Sequence, residues 1–314
     1  NIFIMKFKKP KFWDLEKPNF IAFVLLPFSY LIILYSFLTR KKNKINNIKT
    51  ICIGNIYLGG TGKTPLCIEM LKILNGLNYK TCFVKKDYSD QKDEQKLLAS
   101  KGKIFCEKER IDAAKKAVGE KFDVAIFDDG LQDKKIKYGL NIVCFNEKTG
   151  VGNGLMLPSG PLRENLKNLG TYDVVFLNGN NLNELSFEKK IKENFPNLKI
   201  FKSTYFITNM DELDINEKYL AFAGIGNFNG FIDLLNKNNF KILKSLSYPD
   251  HYEYSEYDIK RIKKIALAEK LKIITTEKDY FRIPDEIGKG IQIIKIRLDI
   301  KNKNKFIDFI KNKL

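Results

Sequence analysis

Histidine is almost absent from this sequence: 314 residues contain one, His251. A metal cage built on imidazoles is thereby excluded. The five cysteines, Cys52, Cys67, Cys82, Cys106 and Cys144, form no C-x-x-C pair. An odd, scattered set, four of them in apolar runs, reads as reduced core thiols of a cytosolic compartment rather than a disulfide framework. There is no Arg-rich block, no zinc finger and no RNP-like aromatic motif, so nucleic acid is not an expected partner. No internal repeat stands out. The first methionine is Met5, which raises the expectation that residues 1–4 lie upstream of the start.

What the chain has in excess is positive charge, a formal +18. That balance favours an anionic lipid or a phosphorylated substrate, although Lys, Asn and Ile are abundant throughout and a compositional bias gives the same number. Hydrophobic residues make up 44% of the chain, enough for real cores, and the length accommodates two domains.

Residues 20–38, FIAFVLLPFSYLIILYSFL, carry no charge. Such a run approaches the length of a bilayer span. Pro27 interrupts it, and both flanks are basic: Lys8, Lys9, Lys11 and Lys17 before, Arg40, Lys41, Lys42 and Lys44 after. A spanning helix shows an asymmetry of Lys and Arg, so the pattern fits a helix lying at, or dipping into, an anionic membrane face. A true span and a helix buried in the fold are the alternatives. The run ends in TRKKNK, not in a small-residue cleavage site, so it is not a cleaved signal peptide.

From Thr50 onward, short apolar strands alternate with helical stretches, the pattern of a mostly parallel sheet wrapped by helices on both faces. A polar segment around 178–196 precedes a second series of strands and helices, in which Ser255 and Asp258 form a capping-box start. The expected fold is α/β: an N-terminal membrane-associated segment (1–45), a P-loop NTPase-like lobe (46–200) and a smaller α/β lobe (201–314).

Two motifs carry chemistry. GNIYLGGTGKTP, Gly54 to Pro65, sits between a strand and a helix. Gly59, Gly60, Thr61 and Gly62 let backbone N–H groups face phosphates, Lys63 reaches the β/γ-phosphates, and Thr64 is a Mg²⁺ ligand. The strict pattern wants glycine at position 57, where this chain has Tyr57. FDVAIFDDGLQ, Phe122 to Gln132, ends an apolar strand in Asp128 and Asp129, a Walker B-like delivery of carboxylate to the metal. Together they indicate a nucleoside triphosphate and leave open a kinase, a GTPase or an ATP-driven switch at a membrane. The nearest guanine-type signature, Thr276-Glu277-Lys278-Asp279, lacks the asparagine.

Motifs spread over nearly the whole chain resemble the tetraacyldisaccharide 4′-kinase (lipid A 4′-kinase) family. They are Phe12-Trp13 with LLPFSYL, the P-loop with its departure at the first glycine, and Lys92-Asp93-Glu94-Gln95 with Leu97-Leu98-Ala99. DDGLQ, LPSGPLRE (Leu157 to Glu164), AGIGN, YPDHY and TTEKDYFR follow. The chain departs at Lys86-Asp87, Lys92, Gln95, Asp133 and Asn165. The resemblance implies ATP and Mg²⁺ as cofactors and phosphorylation of the 4′-hydroxyl of an acylated glucosamine disaccharide 1-phosphate, the lipid A precursor. It places the work at the cytoplasmic face of the inner membrane and implies no protein partner. It also implies that Glu94 joins Thr64, Asp128 and Asp129 around the metal. Asp93 and His251 become an acid–base pair. Arg110 and Arg163 handle phosphate charge, and Gln132 adds polar contacts. On this reading Asp93 lies in the first lobe and His251 in the second, and they meet across a cleft when the lobes close.

Overall fold

The computed structural model describes residues 9–38, 43–89, 91–133, 135–179 and 185–314. Its elements begin with α1 (Phe20–Leu38), β1 (Asn43–Lys44), β2 (Lys49–Gly54), α2 (Lys63–Gly76), β3 (Thr81–Lys86), α3 (Lys92–Ala99) and β4 (Ile104–Glu107). Next come α4 (Arg110–Gly119), β5 (Val124–Asp128), β6 (Ile136–Lys137), β7 (Leu140–Asn146), β8 (Val174–Asn178), α5 (Leu185–Asn194) and β9 (Lys199–Ile207). The chain continues through β10 (Lys218–Ala223), α6 (Phe228–Lys237), β11 (Lys241–Ser247), α7 (Glu256–Ala268) and β12 (Lys272–Thr276). It ends with α8 (Glu277–Tyr280), α9 (Asp285–Gly288), β13 (Ile291–Ile294), β14 (Ile296–Ile300) and α10 (Lys303–Lys313).

Two compact units emerge. The first comprises Asn1–Asp87, Gly102–Thr204 and Ile300–Leu314; the second comprises Tyr88–Lys101 and Tyr205–Asp299. In the first, strands run β4-β3-β5-β2-β7-β8-β9, parallel at every pairing. Their sequences are near-continuous apolar runs because both faces are covered. Cys52, Cys82, Val84, Ala125 and Phe127 point to one face, where Ala113, Ala114 and Ala117 of α4 close on them. Helix α2 packs on β2, β3 and β5. Side chains alternate along a strand, so Phe83, Lys85, Ile126 and Asp128 belong to the face opposite α4.

The second unit is built on a parallel sheet ordered β11-β10-β12-β13. Tyr219, Ala221 and Ala223 of β10 meet Phe231, Leu234 and Leu235 of α6. The intervening Leu220 and Phe222 meet Ile259, Ile262 and Ala266 of α7. The Ser255–Asp258 capping box forms at the start of α7 as expected.

The units differ from the sequence-based division at three places. Residues 88–101, assigned to the P-loop lobe, belong to the second unit, because α3 packs on α8 and Lys101 pairs with Glu277 at 3.0 Å. Residues 300–314, assigned to the second lobe, return to the first unit, where Phe306 of α10 packs edge-on against Phe176 and Phe201. The described part of 1–45 is not a separate body either. Ser29, in the middle of α1, is buried and donates to the Met156 carbonyl at 3.0 Å, while Trp13 Nε1 donates to the Pro158 carbonyl at 3.0 Å.

Among the described side chains of α1, those of residues 20–32, a narrow stripe is covered, Ala22 and Ser29 being one heptad apart. Phe20, Phe23, Val24, Phe28, Tyr30 and Leu31 are each more than half exposed, so the stretch 20–32 is not buried in the fold. Among the described residues no helix is long and apolar enough to cross a membrane. Residues 39–42, which include Arg40, Lys41 and Lys42 of the basic flank, lie outside the described residues, as does Lys8.

Candidate active site

Strand β2 delivers the chain into the phosphate loop at the carboxyl end of the first unit's sheet, between β5 and β7. In parallel α/β sheets that end is where ligands bind. Gly62 takes φ +84°, a left-handed conformation that a side chain resists, and turns directly into α2 at Lys63. Asn55 Nδ2 donates to the carbonyls of Tyr57 (2.6 Å) and Gly59 (3.2 Å), and Asn178 Nδ2 donates to that of Thr61 (2.6 Å), so side chains from two strand ends hold the loop. Tyr57 departs from the glycine pattern without filling the loop. Its ring is buried in an apolar cluster with Ile56, Val143 and Leu162, and its hydroxyl donates to Asp14 Oδ1 at 2.5 Å.

The two aspartates after β5 have different partners. Asp128 is fully buried. Its Oδ2 accepts from Lys85 Nζ at 2.9 Å and from Thr64 Oγ1 at 3.3 Å. Asp129 sits in the left-handed region (φ +58°), uncommon outside glycine and a recurrent mark of functional turns. Its carboxylate takes two 3.0 Å hydrogen bonds from Arg163 Nη1 and lies 3.9 Å from Lys63 Nζ. Burial works to raise the Asp129 pKa, but Lys63 and Arg163 outweigh it and the carboxyl is held below its ordinary value.

Arg110 is itself buried: Nη2 donates to the Asp129 carbonyl at 2.6 Å and Nη1 pairs with Asp133 at 3.4 Å. In this structure it supports the Asp129 turn. Gln132 Nε2 donates to the Asn55 carbonyl (2.9 Å) and to Glu164 (2.7 Å), tying the Walker B turn to the P-loop and to the LPSGPLRE loop.

Asp93, Glu94 and His251 all lie in the second unit. His251, again left-handed at φ +56°, donates Nδ1–H to Asp93 Oδ1 at 3.1 Å. This partner fixes the tautomer and leaves Nε2 as the other ring atom of the pair. Arg282 Nε donates to Asp93 Oδ2 at 2.9 Å, and Lys278 Nζ lies 2.9 Å from Glu94 Oε1 and 3.8 Å from Asp93 Oδ2. Burial pushes the Asp93 pKa up. The His251 hydrogen bond and the charges of Lys278 and Arg282 more than reverse this, and the carboxyl drops to about 2.

The first unit thus assembles Lys63, Thr64, Arg110, Asp128, Asp129, Gln132 and Arg163, while Asp93, Glu94 and His251 assemble in the second. Within each unit the expected metal carboxylates are ion-paired: Asp129 with Arg163 and Lys63 in the first, Glu94 with Lys278 in the second. Among the described residues no three His, Cys, Asp or Glu gather to hold a metal ion. Thr64 and Asp128 form an all-oxygen donor pair chemically suited to a hard cation, and Asp128 Oδ2 also accepts from Lys85. The loop also fits a polyphosphate: the Thr61 hydroxyl, buried without a hydrogen-bond partner among the described residues, can donate to a phosphate oxygen.

Sequence reasoning missed Lys85, Lys278 and Arg282. The last two stand inside TTEKDYFR, where the motif was visible but its cations had no assigned target. Asp279 of the same motif is consumed inside the second unit. Fully buried, its carboxylate accepts from the Gly224 N–H and the Tyr254 hydroxyl at 2.7 Å each, so it does not present a guanine-reading group.

A family model described as tetraacyldisaccharide-1-P 4'-kinase matches residues 21–314. The chain belongs to that family. A tetraacyldisaccharide 4'-kinase of Pelagibacter ubique (strain HTCC1062) is 49% identical over 300 residues, spanning 95% of this chain and 96% of the relative. One of Rickettsia bellii (strain OSU 85-389) is 31% identical, spanning 96% and 97%. Among solved structures, LpxK from Aquifex aeolicus, crystallised in complex with ATP, matches with a TM-score of 0.70 at 23% identity, covering 93% of this chain and 99% of that one. That likeness shows a shared fold. It agrees with the α/β P-loop architecture expected from the sequence.

Proposed function

We propose that this member of the tetraacyldisaccharide 4'-kinase family transfers the γ-phosphoryl group of ATP to the 4′-hydroxyl of the tetraacylated glucosamine disaccharide 1-phosphate. The observation that favours a kinase over a nucleotide-driven switch is the contact between the only histidine and Asp93, since an acceptor hydroxyl needs a proton acceptor. Lys63 and Arg163 supply positive charge at the transferred group, where it is worth most because it is fixed in advance. Bound Mg²⁺ would neutralise phosphate charge, with Thr64 and Asp128 as its fitting ligands. The Asp93–His251 pair takes the hydroxyl proton. A carboxyl held at about 2 does not keep a proton at neutral pH, so the imidazole receives it.

The reading extends to location. The exposed apolar side of α1, with Lys9, Lys11 and Lys17 before it, suits an anionic cytoplasmic membrane face on which an acylated, anionic acceptor resides. Incubation with γ-labelled ATP and the acylated disaccharide 1-phosphate, followed by separation of the lipids, tests the assignment. Label should move to the lipid only when the acceptor is present, and ATP should be preferred over GTP. Acceptor-independent hydrolysis with a GTP preference would instead identify a switch.

A further inference from the structure

The nucleotide site contains a cation that neither motif announces. Lys85 is the penultimate residue of β3, only 1% exposed, and its Nζ lies 2.9 Å from Oδ2 of the fully buried Asp128. Thr64 Oγ1 donates to the same oxygen at 3.3 Å, and Cys67 Sγ lies 3.7 Å from Oδ1. Burying both members of an ion pair is costly, and apolar residues of similar size are often at least as stable, so stability gives no reason for the pair. The other cations of the site differ in kind. Lys63 and Arg163 serve Asp129 from loop and helix-terminal positions and are 14% and 25% exposed. Lys85 is sealed within the strand β3, beside β5, and faces Asp128.

We propose that Lys85 makes metal entry conditional on nucleotide. Resting on the nucleotide reading above, the inference is that the ammonium competes with a divalent cation for Asp128. The Thr64–Asp128 oxygens then accept the metal only when the negative charge of a polyphosphate arrives with it. Free cation is excluded, and the loop receives metal and nucleotide together. Lys85 is a positioning residue in this scheme: it touches Asp128, not the reacting atoms.

Manganese binding followed by electron paramagnetic resonance tests this without turnover, with Asp128→Asn identifying the signal that belongs to this site. In nucleotide-free protein no Asp128-dependent Mn²⁺ should bind at millimolar metal, and a non-hydrolysable ATP analogue should create that binding. Lys85→Met should bind Mn²⁺ without nucleotide at least about tenfold tighter than the parent protein, and Lys85→Arg should restore exclusion. Asp128-dependent Mn²⁺ in the nucleotide-free parent protein overturns the proposal, and that arm needs only folded Asp128→Asn as its reference. An unchanged affinity in folded Lys85→Met overturns it equally. Failure of a fluorescent ATP analogue to bind at all would count against the nucleotide reading, while the nucleotide-free arms still decide the role of Lys85.

Discussion

Nδ1 of His251 stands 3.1 Å from Oδ1 of Asp93, and both residues belong to the second unit. The pair is therefore assembled within one compact body. It does not depend on lobe closure, as the sequence had suggested. Asp93 sits in the first turn of α3, and α3 packs on α8, the helix that supplies Lys278. Replacing either residue by alanine should lower kcat by about 10²–10⁴-fold, the scale for a lost acid–base group. The double variant should be scarcely slower than the worse single one, because residues acting as a unit are not additive. Steady-state kinetics of the three variants checks this, and fully multiplicative losses would refute the pair.

The same contact gives a pH dependence of stability. Asp93 falls from an ordinary 3.8 to about 2 on folding. The native state then binds fewer protons than the unfolded chain between these values, so the contribution is fully present above about pH 4. It is lost as pH falls through about 2. A shift of this size corresponds to roughly 2 kcal/mol. Denaturant unfolding of the parent protein and Asp93→Asn should show a stability difference that is constant at neutral pH and shrinks between about pH 4 and pH 2. A difference that stays flat across this window would show that Asp93 is not held so low.

Lys63→Ala isolates the phosphate loop. Asp129 keeps its two hydrogen bonds from Arg163 when the Lys63 ammonium is removed, so the fold loses little. Acceptor-dependent turnover should nevertheless fall by at least about 10²-fold, because the lost charge faces the transferred group. Thermal unfolding run alongside the kinetics separates the effects. Normal turnover in folded Lys63→Ala would remove this loop from the reaction.

The parts of the site that lie close together in sequence were legible in it. Gly62, Lys63 and Thr64 adjoin one another, and Asp128 and Asp129 end an apolar strand, so local pattern alone announced them. The strands and helices from β2 to β8 and from β10 to β12 were largely legible for the same reason, down to the Ser255–Asp258 cap, whereas β9, β13, β14 and α10 were not singled out. What was hidden depends on pairing across long separations. Nothing in residues 88–101 says that α3 leaves the unit of its neighbouring strands, since Leu97 and Leu98 provide an apolar face that either core would accept. Lys85 directly follows the apolar run of β3, and nothing in its neighbours marks it out. Only the alternation of β3 beside β5 brings it to Asp128. The resemblance pointed to Arg110 as a phosphate-handling arginine, whereas its contact here, the Asp129 carbonyl, exists only once that turn adopts a left-handed conformation.

Helix α1 provides the last test, because its exposed and covered sides are so unequal. Phe23 and Leu31 are 57% and 63% exposed, whereas Ser29 is buried on the Met156–Ser159 segment. Glutamate at positions 23 and 31 therefore leaves the attachment of the helix intact and removes only its apolar outer surface. Each large apolar side chain contributes about 1.5–3 kcal/mol when fully buried, so the double substitution should weaken binding to anionic phosphatidylglycerol vesicles by at least about tenfold. The apparent KM for a vesicle-borne acceptor should rise while kcat and nucleotide affinity change little. Salt should release the parent protein only in part, since ions screen the lysines but not apolar insertion. Sedimentation with vesicles at low and high salt measures both effects. Complete release of the parent protein by salt, with no loss of binding in the Phe23→Glu/Leu31→Glu variant, would show that charge alone brings the enzyme to the surface and that α1 has no part in membrane binding.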